Sequence, residues 1–279
     1  MQTRSDVAGF RRHIDACRNA VLPGTRLPFR LGAAQVGWVA PKLAAALAAF
    51  PQITATETAI SLSDSSHFPA ITKALSDAGQ YRWRREAFDV RAEPDGPVLA
   101  TLDRGALPAF GVVSVGAHLN GLVQRADGPH LWVARRAANK TLDPNKLDHI
   151  VAGGVPAGLT PAQCLIKECA EEAAIPEHLA ARARFTGIIT YTMERPEGLR
   201  RDRLHCYDLE LPEDFVPHPA DGEVQEFFLW PLARVAEAVR DTDDFKFNVN
   251  LVLIDLLIRY NVIQSEPLRQ ALHVDTATA

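Results

Sequence analysis

The stretch from Gly153 to Ile175 constrains the fold more than any other part of the chain, because it defines one helix by its start and by its buried face. Thr160 and Gln163 have the spacing of a capping box, with Pro161 at the first helical position. Apolar residues then recur at helical spacing and form one stripe: Ala162, Leu165, Ile166, Cys169 and Ala173. The pattern predicts an amphipathic helix that packs on a core and follows a glycine-rich loop.

Three glutamates lie on the side of this predicted helix that faces away from the apolar stripe. Glu168 and Glu172 are one turn apart, and Glu171 lies roughly 60° to one side of Glu168. Like charges at this spacing repel one another, so the cluster slightly destabilises the helix unless a cation binds there. Carboxylate oxygens suit Mg²⁺ or Mn²⁺. The alternative is a solvated helix face, on which neighbouring glutamates are common.

The glycines before the helix favour the metal interpretation. Gly153, Gly154 and Gly158 permit a backbone that bends tightly against the helix start. Amides exposed there, together with the helix dipole, can hold an anionic group. We therefore expect Gly153 and Gly154 to contact an anionic substrate whose charge is shared with a divalent cation on the glutamates.

Composition excludes several other classes of protein. The chain has 279 residues, 47% of them hydrophobic, and its 30 basic against 34 acidic residues leave no basic surplus for nucleic acid. Its 4 cysteines lack the spacing of a disulfide scaffold, which favours free thiols in a reducing compartment. No signal peptide is visible, and no apolar stretch reaches the ~20 residues of a membrane helix. These observations predict a soluble cytoplasmic protein without a membrane or nucleic-acid partner.

Near residue 109 the sequence changes from a segment rich in Pro, Gly and charge to apolar, strand-like segments. This change predicts two domains, 1–108 and 109–279. In the first, we expect helices and strands in alternation, ending in a linker at 94–108 that is rich in Pro, Gly and charge. The expected helices cover 6–20, 41–50, where Pro51 stops the second, and 70–78; a strand and turn are expected at 29–39 and a strand at 81–90.

The second predicted domain opens with a β-hairpin signal. Segments 111–123 and 130–136 flank Ala126-Asp-Gly-Pro, which is typical of a hairpin turn. After the glutamate helix, strands are expected at 183–192, 204–211 and 226–230, and a buried helix at 249–260. Because strands and helices mix without a strict βαβ rhythm, the pattern predicts an α/β or α+β fold with a mixed sheet.

The run from Gly153 to Ile175 resembles the signature of the Nudix hydrolases. That signature has a glycine, a glutamate six positions later, and then Arg-Glu, a pair of glutamates, a glycine and an aliphatic residue. Here Glu168, Glu171 and Glu172 match its later glutamates. Three fixed positions depart from it: Leu159 replaces the early glutamate, Lys167 the arginine and Ala174 the last glycine. In the family, the counterparts of Glu168 and Glu172 are the core metal ligands and that of Glu171 assists.

A narrower resemblance covers nearly the whole chain. The sequence around Ala152–Ala173, the tail at 245–259 and the basic stretch at 83–90 are similar to a Nudix subfamily with its own N-terminal domain. That subfamily is related to fungal proteins fused to thiamine pyrophosphokinase, and its members are associated with hydrolysis of oxo and oxy forms of thiamine diphosphate to monophosphates. The resemblance implies a Nudix fold, a mixed β-sheet sandwiched between helices, preceded by a smaller α+β domain. It also implies Mg²⁺ or Mn²⁺ as cofactor and favours a homodimer.

Further candidate residues follow from the expected neighbourhood of a Nudix site. Glu223 and then Glu226, in the acidic segment before a predicted strand, are our choices for the general base or an extra ligand, with Glu171 as a third catalytic candidate. Arg135 and Arg136 end a hairpin strand, and alternation sends them to opposite faces, so at most one is expected to meet phosphate. The structural alternative for all of these is an ordinary charged turn or a solvated strand end.

Three functions remain open at this level. The first is metal-dependent hydrolysis of an oxidised thiamine diphosphate. The second is hydrolysis of nucleoside diphosphate derivatives. The third is ligand binding by a Nudix-fold protein without turnover, which the absent early glutamate favours and the retained glutamate cluster opposes.

Overall fold

A computed structural model describes residues 4–220 and 222–276 of the chain. Asp221, in the acidic segment before Glu223, lies outside the described residues. The N-terminal part contains ten α-helices and β-strands in this order: α1 (Arg4–Cys17), β1 (Leu27–Leu31), β2 (Ala34–Val39), α2 (Pro41–Leu47), β3 (Ile53–Ala55), β4 (Ile60–Leu62), α3 (Phe68–Asp77), β5 (Ala87–Val90), β6 (Ala100–Asp103) and α4 (Leu107–Phe110).

A small four-stranded sheet organises this part in the order β2-β1-β4-β3. The strands β1 and β4 run parallel, and the other pairs are antiparallel. Its core is aromatic: the ring of Phe29 stacks on Phe68 at 5.6 Å and meets Phe110 edge-on at 5.0 Å. Phe110 belongs to α4, so this helix ties the end of the first part of the chain to its sheet.

The predicted linker at 94–108 is wrong. Only its first residues form a turn, because β6 pairs with β5 in an antiparallel hairpin and α4 begins at Leu107. The side chains of Leu102 and Leu107 are buried and hold this segment on the core. The Pro, Gly and charged residues around them made the segment look like a linker. The strand predicted at 81–90 is likewise shorter, since only its last four residues form β5.

The C-terminal part contains the larger sheet and most of the remaining helices. Its elements are β7 (Val113–Arg125), β8 (Gly128–Arg136), β9 (Leu147–His149), β10 (Val151–Gly154), α5 (Pro161–Ala173), α6 (Glu177–Ala180), β11 (Arg184–Arg195), β12 (Gly198–Glu210), β13 (Val224–Pro231), α7 (Leu232–Asp241), α8 (Val249–Arg259) and α9 (Glu266–Leu272). The sequence analysis did not predict α7 and α9, in which apolar residues make up a smaller share than in α8.

The sheet is mixed, as the sequence predicts. Its strands follow the order β11-β12-β7-β8-β13, with β10 paired to β7 and β9 paired to β8. The pair of β12 and β7 is parallel, whereas the predicted hairpin of β7 and β8 is antiparallel. Helix α5 packs on one side of this sheet, and α8 lies in a separate apolar cluster with α1 and α7. The predicted sheet between helices is thus confirmed.

The first helix of the chain belongs to the C-terminal core. Phe10, Ile14 and Cys17 of α1 are buried in the same apolar cluster as α8, whose residues from Val249 to Ile258 are all buried. The predicted boundary at 108/109 therefore separates two cores but not two independent stretches of chain, and it stays a prediction. Among the described residues, no helix combines the length and the apolar character needed to cross a bilayer.

Truncating a buried residue of α1 tests this arrangement. Ile14 is 1% exposed, so Ile14→Ala should lower the free energy of unfolding by about 2–5 kcal/mol through lost burial and a residual cavity. Val21 is 81% exposed, and Val21→Ala should change it by less than about 0.5 kcal/mol. Denaturant unfolding measures both, and equal effects would show that α1 is peripheral.

Candidate active site

Helix α5 has a fixed start. The hydroxyl of Thr160 accepts the Gln163 backbone N–H at 3.2 Å, and the Gln163 side chain accepts the Thr160 N–H at 2.9 Å. With Pro161 at the first helical position, this is the capping box that the sequence predicts. The helix ends at Ala174, which has φ of 53° in the left-handed region where glycine is favoured. Ala174, at the position of the last glycine of the signature, thus has a backbone conformation that glycine adopts without steric cost.

The buried face of α5 is rotated from the predicted stripe. Ala162 is exposed and Ile166 is only partly buried, whereas Cys164 and Glu172 are buried. The reason is the strand β10, which lies close enough to cover part of the glutamate side of the helix. The helix therefore presents carboxylates to the protein interior as well as apolar groups.

The glycines before the helix belong to a strand rather than to a bent loop. Gly153 and Gly154 of β10 pair with Ala117 and Gly116 of β7. Their lack of a side chain matters for another reason: a Cβ on Gly153 would lie 2.7 Å from Cγ of Glu168. Gly153 thus permits the close approach of α5 to the sheet. Of the loop glycines, Gly158 adopts a positive φ, 83°.

The structure separates the three glutamates. Glu172 is 7% exposed, and its carboxylate accepts the Ala152 backbone N–H at 2.9 Å. Glu168 lies beside it under Gly153, with 16% of its side chain exposed. Glu171 is 49% exposed and binds Lys167 at 2.5 Å, and Lys167 also contacts Glu168 at 3.2 Å. Glu168 and Glu172 form an inward-facing pair, whereas Glu171 points outward.

Burial controls the electrostatics of the inward-facing pair. It raises the pKa of Glu172 well above its ordinary value and also raises the pKa of Glu168. The charge of Glu168 raises the pKa of Glu172 further, against the opposing hydrogen bond from Ala152. Glu223 contributes in the same direction to both. These carboxylates therefore stand in an environment where added positive charge is favourable.

The two candidate bases occupy different surroundings. Glu223 forms an ion pair with Lys140. Burial alone would raise the pKa of Glu223, but Lys140, with Arg104 and Arg136, outweighs burial and lowers it. Glu226, on β13, binds Arg135 at 2.8 Å with 47% of its side chain exposed. The structure thus brings Glu223 to the charge cluster of Glu168 and places Glu226 in a separate surface pair.

The adjacent arginines take opposite roles, as alternation along β8 predicts. Arg135 pairs with Glu226 at the surface. Arg136 is directed inward and binds Asp148 at 2.7 Å, with only 11% of its side chain exposed. The inward direction leaves Arg136, and not Arg135, beside the buried charges.

Several buried polar residues near the site escaped the sequence analysis. Lys246 lies 3.6 Å from Asp148, which also holds Arg136. The rings of His118 and His149, far apart in sequence, meet with their Nδ1 atoms 3.1 Å apart. Burial lowers the pKa of His118 well below its ordinary value and that of His149 to about 4, so the pair is neutral at pH 7. Only the pairing of β9 with β8 and of β10 with β7 brings these residues together.

No three His, Cys, Asp or Glu side chains within residues 4–220 and 222–276 are grouped as a preformed metal centre. The donor chemistry nevertheless fits a divalent cation. Glu168 and Glu172 offer carboxylate oxygens in a partly dry environment, where burial raises their pKa values and a cation would stabilise the ionised forms.

Comparison with known proteins identifies the family. The NUDIX domain family matches residues 117–249, and a domain of unknown function (DUF4743) matches residues 9–114. Nudix hydrolase 24, chloroplastic, of Arabidopsis thaliana is 36% identical over 278 residues, which cover 95% of this chain and 76% of that protein. The chain belongs to the Nudix hydrolase family. Its predicted membership and its extra N-terminal domain are confirmed.

Two further relatives of this Nudix hydrolase are longer proteins. Nudix hydrolase 20, chloroplastic, of Arabidopsis thaliana is 43% identical over 197 residues, covering 70% of this chain and 53% of that protein. An uncharacterised protein of Saccharomyces cerevisiae is 34% identical over 205 residues, covering 68% and 58%. The chain thus spans little more than half the length of these two relatives.

The predicted cytoplasmic location is corrected by this comparison. Both Arabidopsis relatives are named as chloroplastic Nudix hydrolases. The prediction rested on composition and cysteine spacing, which are properties of the folded domain and do not specify the compartment to which a protein is targeted.

The left-handed residue at the end of α5 gives a stability prediction for this Nudix hydrolase. Ala174→Gly should raise the free energy of unfolding by about 0.5–1 kcal/mol, because glycine adopts a positive φ without steric cost. Ala181, after α6, has φ of −62°, so Ala181→Gly should instead lower it by a similar amount. Chemical denaturation of both variants measures the difference, and a destabilised Ala174→Gly protein would contradict the argument.

The buried charges around Asp148 give a pH prediction. Burial alone would raise the pKa of Asp148, but Lys246 and Arg136 outweigh it and hold the pKa below its ordinary value. This contribution to stability is therefore present above the unfolded pKa of ~3.9 and is lost as pH falls toward the folded pKa. Asp148→Asn should cost about 3–5 kcal/mol at pH 7, because it leaves two buried cations without their carboxylate.

Unfolding curves recorded from pH 7 to pH 3 measure this dependence. The difference between the wild type and Asp148→Asn should shrink as the pH falls below about 4. The matched control is Asp15→Asn, which removes an exposed pair with Arg11 and should change stability by less than about 1 kcal/mol at pH 7. A pH-independent difference for Asp148→Asn would rule out the charge explanation.

Proposed function

We propose that this Nudix hydrolase is a metal-dependent pyrophosphohydrolase that converts a small-molecule diphosphate into its monophosphate. The observation that carries the proposal is the buried pair of Glu168 and Glu172, held against Gly153 and the Ala152 N–H. Two buried carboxylates with raised pKa values are unfavourable for the fold by themselves. They are favourable ligands for a hard divalent cation.

Glu168 and Glu172 would hold Mg²⁺ or Mn²⁺, with Glu171 as an outer contributor. When bound, such a cation lowers the pKa of a water molecule and neutralises charge on phosphate oxygens. The backbone N–H of Ala152 and the buried surroundings hold the carboxylate of Glu172 in position.

Glu223 is our choice for the general base. Its lowered pKa keeps it ionised at neutral pH, and Lys140 holds its carboxylate in place. As a base it would take one proton from water while the water oxygen forms a bond to phosphorus. The bond between phosphorus and the bridging oxygen then breaks, giving a monophosphate and inorganic phosphate.

Glu226 and Arg135 are weaker candidates than their neighbours, since they neutralise one another at the surface. Arg136 and the strand residues Gly153 and Gly154 remain our candidates for substrate contact. The supporting feature is the inward direction of Arg136 beside Lys246 and Asp148, where buried positive charge can attract phosphate.

We propose an oxidised thiamine diphosphate, in its oxo or oxy form, as the substrate. The support is the resemblance of the signature, the tail at 245–259 and the N-terminal stretch at 83–90 to the subfamily related to fungal thiamine pyrophosphokinase fusion proteins. Nucleoside diphosphate derivatives are the second substrate class. The homodimer implied by the family stays a prediction.

The decisive experiment replaces Glu172. Glu172→Gln keeps the shape of the side chain but removes one ligand charge, so magnesium-dependent phosphate release should fall on the order of 100-fold or more. The free energy of unfolding should stay equal or rise, because a buried charge is removed. The matched control is Glu177→Gln, an exposed glutamate at the start of α6, which should keep full activity.

The substrates for this assay are thiamine diphosphate, its oxo and oxy forms, ADP-ribose and several nucleotides. Fastest release from the oxidised thiamine forms supports the full proposal. Turnover of nucleotides alone keeps the reaction and overturns the substrate. Unchanged activity of Glu172→Gln would show that the site is elsewhere, and no turnover with Mg²⁺ or Mn²⁺ would favour a binding protein.

A further inference from the structure

The hairpin of β5 and β6, from the domain of unknown function, docks directly on the strand that carries the Nudix glycines. The Ala157 N–H donates to the Ala87 carbonyl at 2.7 Å. The ring of Phe88 lies against Gly154, where an added Cβ would approach its Cζ to 2.7 Å. The N-terminal domain therefore contacts the segment that connects β10 to α5.

The side chain of Arg104, the residue directly after β6, also reaches Gly154. The guanidinium carbon of Arg104 lies 3.9 Å from the position of a Cβ on Gly154. Gly153, the preceding residue of β10, contacts Glu168 in the same way. Successive positions of a strand face opposite sides, so Arg104 and Glu168 approach the end of β10 from its two faces.

The loop after β8 links the two sides by direct contacts. It carries Lys140, which pairs with Glu223, and Thr141, whose hydroxyl accepts a hydrogen bond from Nη1 of Arg84 at 3.0 Å. The backbone N–H of Arg84 donates to the carboxylate of Asp103, so the residue before Arg104 is tied to the loop that holds Glu223.

The backbone around Arg104 is held firmly. The buried carboxylate of Asp103 accepts the N–H groups of Arg84 at 2.9 Å, Arg85 at 2.7 Å and Gly105 at 2.8 Å. The Arg104 N–H donates to the Glu86 carbonyl at 2.8 Å. These hydrogen bonds fix the backbone position from which the Arg104 side chain extends toward Gly154, and a binding residue requires such a fixed position.

The guanidinium itself remains accessible. About half of the Arg104 side chain, 53%, is exposed, and its Nη1 atom donates to Glu86 at 2.9 Å. Arginine carries five N–H donors in a planar fork, so one such bond leaves donors for a second acceptor. Phosphate oxygens match that fork in geometry and charge.

We propose that Arg104 is a substrate-binding residue that the N-terminal domain contributes to the Nudix site, where its guanidinium binds a phosphate of the diphosphate. This inference rests on the proposed function, because it assumes that a diphosphate occupies the site at Glu168 and Glu172. It assigns the DUF4743 domain a role in substrate recognition. The competing explanation is that Arg104 only stabilises the hairpin through Glu86 and the ring of Phe88.

The test uses methylenediphosphonate, a diphosphate analogue that cannot be hydrolysed, together with Mg²⁺ on the full chain. Arg104→Ala should weaken its affinity about tenfold, as expected for the loss of one charge-assisted contact. Arg104→Lys should recover part of this loss, since it restores the charge but not the fork. Isothermal titration calorimetry gives the affinities, and thermal unfolding shows whether each variant is folded.

Arg91→Ala is the matched control, because Arg91 pairs with Asp89 in the same hairpin. It should bind the analogue like the wild type. Equal affinity of Arg104→Ala and the wild type, or equal losses in Arg104→Ala and Arg91→Ala, would overturn the inference. Failure of the wild type to bind the analogue would overturn it as well.

Binding and turnover separate this inference from the proposed function. If the wild type binds the analogue through Arg104 but hydrolyses no member of the diphosphate panel, the hydrolase proposal fails and the phosphate contact stands. If diphosphates are hydrolysed and Arg104→Ala retains full affinity, the hydrolase proposal stands and the contact fails.

Discussion

The close approach of helix α5 to strand β10 is the constraint on which the candidate site depends. Gly153 permits it, because a Cβ there would overlap the side chain of Glu168. The approach brings the carboxylate of Glu172 within 2.9 Å of the Ala152 N–H and removes it from water. The missing Cβ at Gly153 makes room for the side chain of Glu168, and the Ala152 N–H holds the carboxylate of Glu172 against the same strand.

That burial has an energetic consequence for the whole C-terminal sheet. Glu168, Glu172, Glu223 and Asp148 gather negative charge, and Lys140, Arg136 and Lys246 oppose it from β8, its following loop and the segment before α8. Such clusters are seldom the most stable way to fill an interior. Their retention makes sense where a charged ligand completes them, which is why the charges, more than the shape of the site, support hydrolysis of a diphosphate.

The two sequence domains meet at this same place. The β5–β6 hairpin rests Phe88 on Gly154, while α1, from the start of the chain, packs beside α8 in the C-terminal core. The N-terminal region therefore contacts the Nudix region at both of its ends. The proposed phosphate contact of Arg104 depends on this arrangement, because it is the β5–β6 hairpin that brings Arg104 beside Gly154.

The sequence alone determined the local features of this protein. The capping box at Thr160, the β7–β8 hairpin, the apolar helix α8 and the glutamate cluster are set by residues close together in the chain, so pattern and resemblance sufficed. The Nudix family, the mixed sheet and the extra domain followed from them. The opposite directions of Arg135 and Arg136 also followed, since strand alternation is a local rule.

Tertiary structure alone decided which of these residues share an environment. It separated Glu171 from Glu168 and Glu172, placed Glu223 and not Glu226 in the buried charge cluster, and turned the expected linker into β6 and α4. It also joined His118 to His149 and placed Arg104 beside Gly154 and Lys246 beside Asp148. The physical reason is that strand pairing and helix packing bring together residues that are far apart in the chain. The spacing of residues within one segment does not specify which distant segment will pack against it.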